Sequence, residues 1–205
     1  MIYNVCPIPI YITKIDAYPK KEMISVLDNL IQKEDTTNED FSDDQDVEQV
    51  HNISIFQPLN DWIGHHTKEY LKYFSNATYS LYSQKSWGVR VNKGGGVHPH
   101  KHENGHVSCV FYVSLPKGCN DVLTFKHNSL EIDALPINSD DRRLIATDVK
   151  VEEGQLIIFP SMLGHGTMTT SESEESRFSV SYDMCFGSIK PQEHTMLDIS
   201  KWKKL

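Results

Sequence analysis

The sequence predicts an α+β chain with a β-sandwich or barrel at its core. Three observations carry that prediction. Two N-terminal segments repeat their apolar residues with a helical period, whereas from residue 78 onward the apolar residues alternate or run in short blocks. Those blocks are separated by turn signals: Gly94-Gly95-Gly96, Pro116-Lys117-Gly118, Glu152-Glu153-Gly154 and Pro160. The 205 residues suit one domain and can bury a sizeable core.

In chain order, residues 5–15 read as a strand. Pro19 opens a helix to about Gln32, with Met23, Val26, Leu27, Leu30 and Ile31 at helical spacing. His51 to Gln57 is a short apolar segment. A second helix fits residues 59–74, where Leu59, Trp62, Ile63, His66, Tyr70 and Phe74 share a stripe and Asp61 sits in the first turn. Strands then fit 79–83, 86–92, 107–115, 122–125, 144–151, 155–159, 165–169 and 177–186. Residues 127–143 are irregular and polar, with the length of a lid or surface excursion. No internal repeat is present. The organisation expected is a single domain over 1–205: a helical support region (1–77), a β core (78–190) and a tail (191–205). The two helices would brace one sheet.

The formal net charge is −8, and its distribution is uneven. Eight of the 28 acidic residues lie between Glu34 and Glu48, a stretch without Lys or Arg; the other acids balance the 20 Lys and Arg. Such a run ordinarily forms a solvated loop, here the acidic loop 34–48. No basic stripe indicates a nucleic-acid partner. No apolar run approaches membrane-spanning length, and MIYNVCPIPIYITKI reads as a strand rather than a secretory leader. Cys6, Cys109, Cys119 and Cys185 form no CxxC pair, which points to free thiols in a reducing, cytoplasmic setting.

The chemistry concentrates in His98-Pro99-His100-Lys101-His102. On a strand, residues i and i+2 share a face, so His100 and His102 can converge on one metal ion. His98 would share that face too, but Pro99 disrupts ladder pairing beside it. A His-x-His pair alone is as readily a polar strand edge. A third histidine, His165, five residues after Pro160, favours a metal site. Three protein ligands leave positions open, as a catalytic metal requires. His106 is a candidate for a supporting or substrate-side role. His51, His65, His66, His127 and His194 have no partner spacing and read as surface or packing residues. Arg177 and Ser179 share one strand face and suit a carboxylate, with Phe178, Val180 and Tyr182 on the other. A lone strand arginine is ordinarily solvent-facing; its place one strand after His165 is what distinguishes it.

Taken in order, Trp87 with its strand to Asn92, His100-x-His102, Ser108-Cys-Val-Phe-Tyr-Val113, Glu153-Gly154 through Phe159-Pro160-Ser161, His165 and Arg177-Phe-Ser-Val-Ser181 resemble the Fe(II)- and 2-oxoglutarate-dependent oxygenases. The resemblance is strongest to the small prolyl-hydroxylase-like group found in phages and bacteria. It covers nearly the whole chain, including the N-terminal order of strand, helix, variable loop and helix. It implies a double-stranded β-helix (jelly roll, cupin-like) with the metal between its sheets. It further implies Fe(II) on His100, His102 and His165, and 2-oxoglutarate chelating that iron. The far carboxylate would pair with Arg177, assisted by Ser179 and Tyr112, with Arg90 and Arg143 as the next cations to test. O2 would be the oxidant and ascorbate an accessory reductant. Succinate and CO2 would form as a C–H bond of a protein side chain or small molecule is oxidised. A homodimer is compatible with this reading.

Three positions depart from the common family pattern. His102 stands where Asp or Glu is usual, although the most similar group is expected to carry His there. Cys109 replaces a common Gly, and Asp183 an expected Asn. Glu103 would face away from His102 and is not promoted to a ligand. Two other classes compete: a three-histidine dioxygenase of cupin type that needs no 2-oxoglutarate, and a non-catalytic metal-binding jelly-roll module. Dependence of turnover on 2-oxoglutarate separates the first from the main reading; the second predicts no succinate with any substrate and a closed coordination shell.

Overall fold

A six-stranded antiparallel sheet carries two helices on one face and a three-stranded sheet opposite the other. The structure, a computed structural model, describes residues 8–31, 39–41, 49–76, 79–103, 105–126, 146–167 and 169–188. The elements in chain order are β1 (Tyr11–Lys14), α1 (Lys20–Leu30), β2 (Glu39–Phe41), α2 (Gln57–Lys72), β3 (Tyr79–Val91), β4 (Val107–Ser114), β5 (Val122–Lys126), β6 (Ala146–Lys150), β7 (Gln155–Pro160), β8 (His165–Gly166) and β9 (Arg177–Ser188). The larger sheet runs β1-β7-β4-β9-β3-β2, and the smaller runs β6-β5-β8. This is the jelly-roll arrangement of two facing sheets.

Strand alternation explains how one sheet serves two cores. From β4, Cys109, Phe111 and Val113 face the helices, while Tyr112 and Val110 face the smaller sheet. From β7, Leu156 and Ile158 join the helical side, and Ile157 and Phe159 the inter-sheet side. Both faces of these central strands are covered, so each reads as a continuous apolar run. Met23 and Leu27 of α1 and Leu59, Ile63, Tyr70 and Leu71 of α2 complete the helical core. Gly154 turns the chain between β6 and β7 at φ +77°, and a Cβ there would lie 2.4 Å from the Ile15 carbonyl oxygen.

Several boundaries differ from the sequence expectation. Residues 79–91 form one strand, because a register shift between Ser83 and Lys85 absorbs Gln84 without ending the pairing with β9. The segment 51–57 holds 3-10 turns, Val50–Asn52 and Ser54–Phe56, that bury Val50 and Phe56. The strand expected over 165–169 stops at Gly166, and that expected over 5–15 covers Tyr11–Lys14, with residues before 8 outside the described set. Phe74 lies past the end of α2 and is exposed; Thr67 and Leu71 are buried in its stead. The acidic loop (apart from β2), the excursion at 127–143 and the tail at 191–205 lie outside the described residues. No helix among the described residues is long and apolar enough to cross a membrane.

Candidate active site

His100, His102 and His165 come together between the two sheets, with ligand nitrogens within 4.8 Å of one another. The route differs from the strand alternation expected for His-x-His. Residues 97–102 are not a regular strand; His100 makes an isolated antiparallel bridge to His165, with backbone N–H···O distances of 2.9 and 3.0 Å. The His102 N–H then donates to the Ser161 carbonyl at 2.9 Å. Tertiary pairing to the segment after β7, rather than local period, aims the two rings. His98 stays exposed, outside the trio, and its carbonyl accepts from His100.

The bridge depends on a close approach. A Cβ on Gly166 would lie 2.8 Å from the Val97 carbonyl oxygen and 2.9 Å from Pro99 Cα, both backbone atoms. Gly166→Ala must push the histidine loop away from β8. The expected result is a loss of about 1–3 kcal/mol, the usual cost of overpacking, together with weakened metal uptake. Denaturant midpoints and metal titration of the purified variant check both.

Hydrogen bonding places a proton on Nδ1 of all three rings. His100 Nδ1 lies 2.7 Å from the His98 carbonyl oxygen and His165 Nδ1 lies 2.9 Å from that of Leu163. A carbonyl only accepts, so each Nδ1 carries the proton and each Nε2 is bare. His102 Nδ1 sits 2.8 and 3.0 Å from the two oxygens of Asp183, so its Nδ1 proton points to the carboxylate and its Nε2 points to the other two rings. The Nε2 atoms of His100 and His102 are 3.0 Å apart. Two lone pairs at that distance repel unless a cation lies between them. Two nitrogens bound at right angles to one ion at about 2.1 Å would stand about 3.0 Å apart. The residues therefore fit a divalent metal. Loss of solvent favours the neutral rings: neighbouring groups shield the inner side of His100, whose outer edge is exposed, and lower it below its usual value, while burial holds His165 down at about 3.

Packing fixes the ring planes. Trp87 stacks on His102 at 5.3 Å and 23°, and Phe159 lies 4.5 Å from His165. His106 is not part of the cluster; its Nδ1 accepts from the Phe186 N–H and its ring packs on Phe186.

A cavity of about 50 Å³ runs from His100 and His165 to Arg177, several times the roughly 10–15 Å³ that one water needs. β9 contributes Arg177, Ser179 and Ser181 to its wall from alternate positions, while Phe178, Val180 and Tyr182 face the helical core. Tyr112 lines the same wall with its ring 5.9 Å from the Arg177 guanidinium, and burial pushes its hydroxyl up to about 12. Arg177 is 3% exposed, and its guanidinium donates to Asn120 Oδ1 at 2.9 Å. Asn120 in turn donates to the Thr169 carbonyl. Arg90 is excluded as an alternative cation, since it pairs with Asp28 beside α1 and does not line the cavity. Arg143 lies outside the described residues.

Two contributors escape sequence reading. Asn120 follows Cys119 in a loop with no recognisable pattern. Asp183 is noticed only as a departure from Asn, yet the i+2 series Arg177, Ser179, Ser181, Asp183 places it on the cavity face of β9.

Residues 85–183 match the family model described as "Putative 2OG-Fe(II) oxygenase". Among solved structures, the epimerase SnoN in complex with Fe3+, alpha ketoglutarate and nogalamycin RO aligns with TM-score 0.60 at 14% identity, covering 93% of this chain and 88% of SnoN. HygX from Streptomyces hygroscopicus, with nickel, 2-oxoglutarate and hygromycin B bound, aligns at 0.57 and 12%, covering 86% and 82%. A Pseudomonas putida prolyl-4-hydroxylase aligns at 0.52 and 11%, covering 86% and 92%. At these identities the likeness establishes the fold. No curated protein sequence matches the chain.

Proposed function

We propose, from a core that matches the 2OG-Fe(II) oxygenase family model over residues 85–183, that the protein is a non-haem Fe(II)- and 2-oxoglutarate-dependent hydroxylase. The observation that carries this reading is the cluster of three imidazole nitrogens at one end of a cavity with a buried arginine along it. His100, His102 and His165 would hold the metal. Bound Fe(II) supplies the coupling of O2 reduction and 2-oxoglutarate decarboxylation to oxidation of a substrate C–H bond.

The remaining work falls to the chain. Arg177, oriented by Asn120, presents a fixed positive charge to the far carboxylate of 2-oxoglutarate. Ser179 and Tyr112 add hydroxyl groups beside that charge. Trp87, Val89, Val97, Val110 and Leu123 form the apolar remainder of the wall and limit water. His98 and His100 are exposed, so the primary substrate, a protein side chain or a small molecule, would approach from their side. Among the described residues, the thiols of Cys109 and Cys119 form no disulfide, which supports a reducing, cytoplasmic setting.

Incubation with Fe(II), ascorbate, O2 and 2-oxoglutarate tests the reading. Succinate and CO2 above a His165→Ala control are expected even before the substrate is known, through slow uncoupled turnover. Oxidation of a substrate without any need for 2-oxoglutarate would favour the three-histidine dioxygenase. Absence of 2-oxoglutarate binding by metal-loaded protein would end the proposal.

A further inference from the structure

We propose that Asp183 supplies through His102 the negative charge that a carboxylate ligand supplies directly in the usual His-x-Asp/Glu…His set, which makes it a positioning residue for an all-histidine site. The inference rests on the oxygenase reading for the identity of the metal, but its geometry stands in the chain alone.

Asp183 is buried, at 8% exposure. Its carboxylate accepts from two sides: the Ser108 hydroxyl donates to Oδ1 at 2.7 Å, and His102 Nδ1 stands 2.8 and 3.0 Å from Oδ1 and Oδ2. Ser108 spends its one proton on Asp183, so the 2.8 Å contact with Ser161 is a donation from Ser161. Ser161 also accepts the His102 backbone N–H. The chain Ser161–Ser108–Asp183–His102 thus closes on itself and holds His102 at its ring Nδ1 and at its backbone N–H. An asparagine would satisfy the same partners, its oxygen accepting from His102 and its NH2 donating to Ser108, whose proton would pass to Ser161. What the aspartate adds is negative charge.

Electrostatics gives the arrangement its purpose. Three neutral imidazoles bring no charge to a dication. A buried carboxylate is costly unless a cation compensates it, and the side chains that donate to Asp183, Ser108 and His102 (neutral as a ligand), bring no charge. A metal ion beyond the His102 ring supplies that compensation. A carboxylate hydrogen-bonded to the far nitrogen of a ligating imidazole fixes its tautomer and raises its basicity; loss of such a partner typically weakens metal binding about 10- to 100-fold.

The test is anaerobic Co(II) titration of metal-free protein, followed by the visible absorption of the bound ion, in four forms: native, Asp183→Asn, His102→Asp and the double variant. Asp183→Asn is expected to weaken Co(II) about 10- to 100-fold while the thermal midpoint of the metal-free protein stays within a few degrees. In the His102→Asp background the effect is expected to shrink to under threefold. There the new carboxylate is a direct ligand that brings its own charge, and Asp183 has no imidazole through which to act. Equal weakening in both backgrounds, or native affinity in Asp183→Asn, overturns the proposal. If His102→Asp does not fold, the single Asp183→Asn titration decides by itself. Native protein that binds Co(II) but no 2-oxoglutarate would sink the oxygenase reading and leave this comparison intact.

Discussion

Arg177→Ala is expected to weaken 2-oxoglutarate about 30- to several-thousand-fold while metal affinity stays native. The range follows from roughly 2–5 kcal/mol for losing one partner of a buried charge pair, at about 1.4 kcal/mol per decade. The upper part of the range is the better match here. Arg177 is almost fully buried and held by Asn120, so its orientation is fixed before any ligand arrives. Arg177→Lys should recover only part of the loss, because an ammonium keeps the charge but cannot make the paired donation of a guanidinium. Anoxic calorimetry of metal-loaded protein measures both variants. A change under threefold in Arg177→Ala would show that another group holds the co-substrate.

His165→Ala is expected to lower divalent-metal affinity by more than the about 100-fold that an outer partner can account for, and to abolish succinate formation. His165 is the buried member of the trio and the anchor of the bridge that positions His100. The bridge itself uses backbone atoms, so the variant should keep the pairing and lose only the ligand. Elemental analysis after dialysis against a fixed metal concentration, with circular dichroism to confirm the fold, checks the result. Native metal content in folded His165→Ala would remove the histidine trio as the metal site.

The features legible in the sequence are those that short-range periodicity encodes. The 3.6-residue spacing of Met23, Leu27 and their neighbours gives α1, and the alternation of β9 puts Arg177 and Ser179 on one face because strand side chains repeat every two residues. The same rule, applied to His100 and His102, named the residues but not the reason they meet. Their segment is irregular, and its geometry comes from pairing with His165, 65 positions along the chain. Nothing local to His-Pro-His-Lys-His specifies that partner.

Two charged contacts show the same limit. His102 reaches Asp183 across 81 positions, and Arg177 reaches Asn120 across 57. Each depends on the register of β9 against β4 and on where loops return to the sheet. Residue types, strand faces and the order of motifs are properties of neighbouring residues, and the chain carries them before it folds. Which imidazole nitrogen keeps its proton, which carboxylate backs which imidazole and how deeply Arg177 is buried are decided only when distant segments pack. They are properties of hydrogen-bond partners and solvent exclusion that no short stretch of chain possesses.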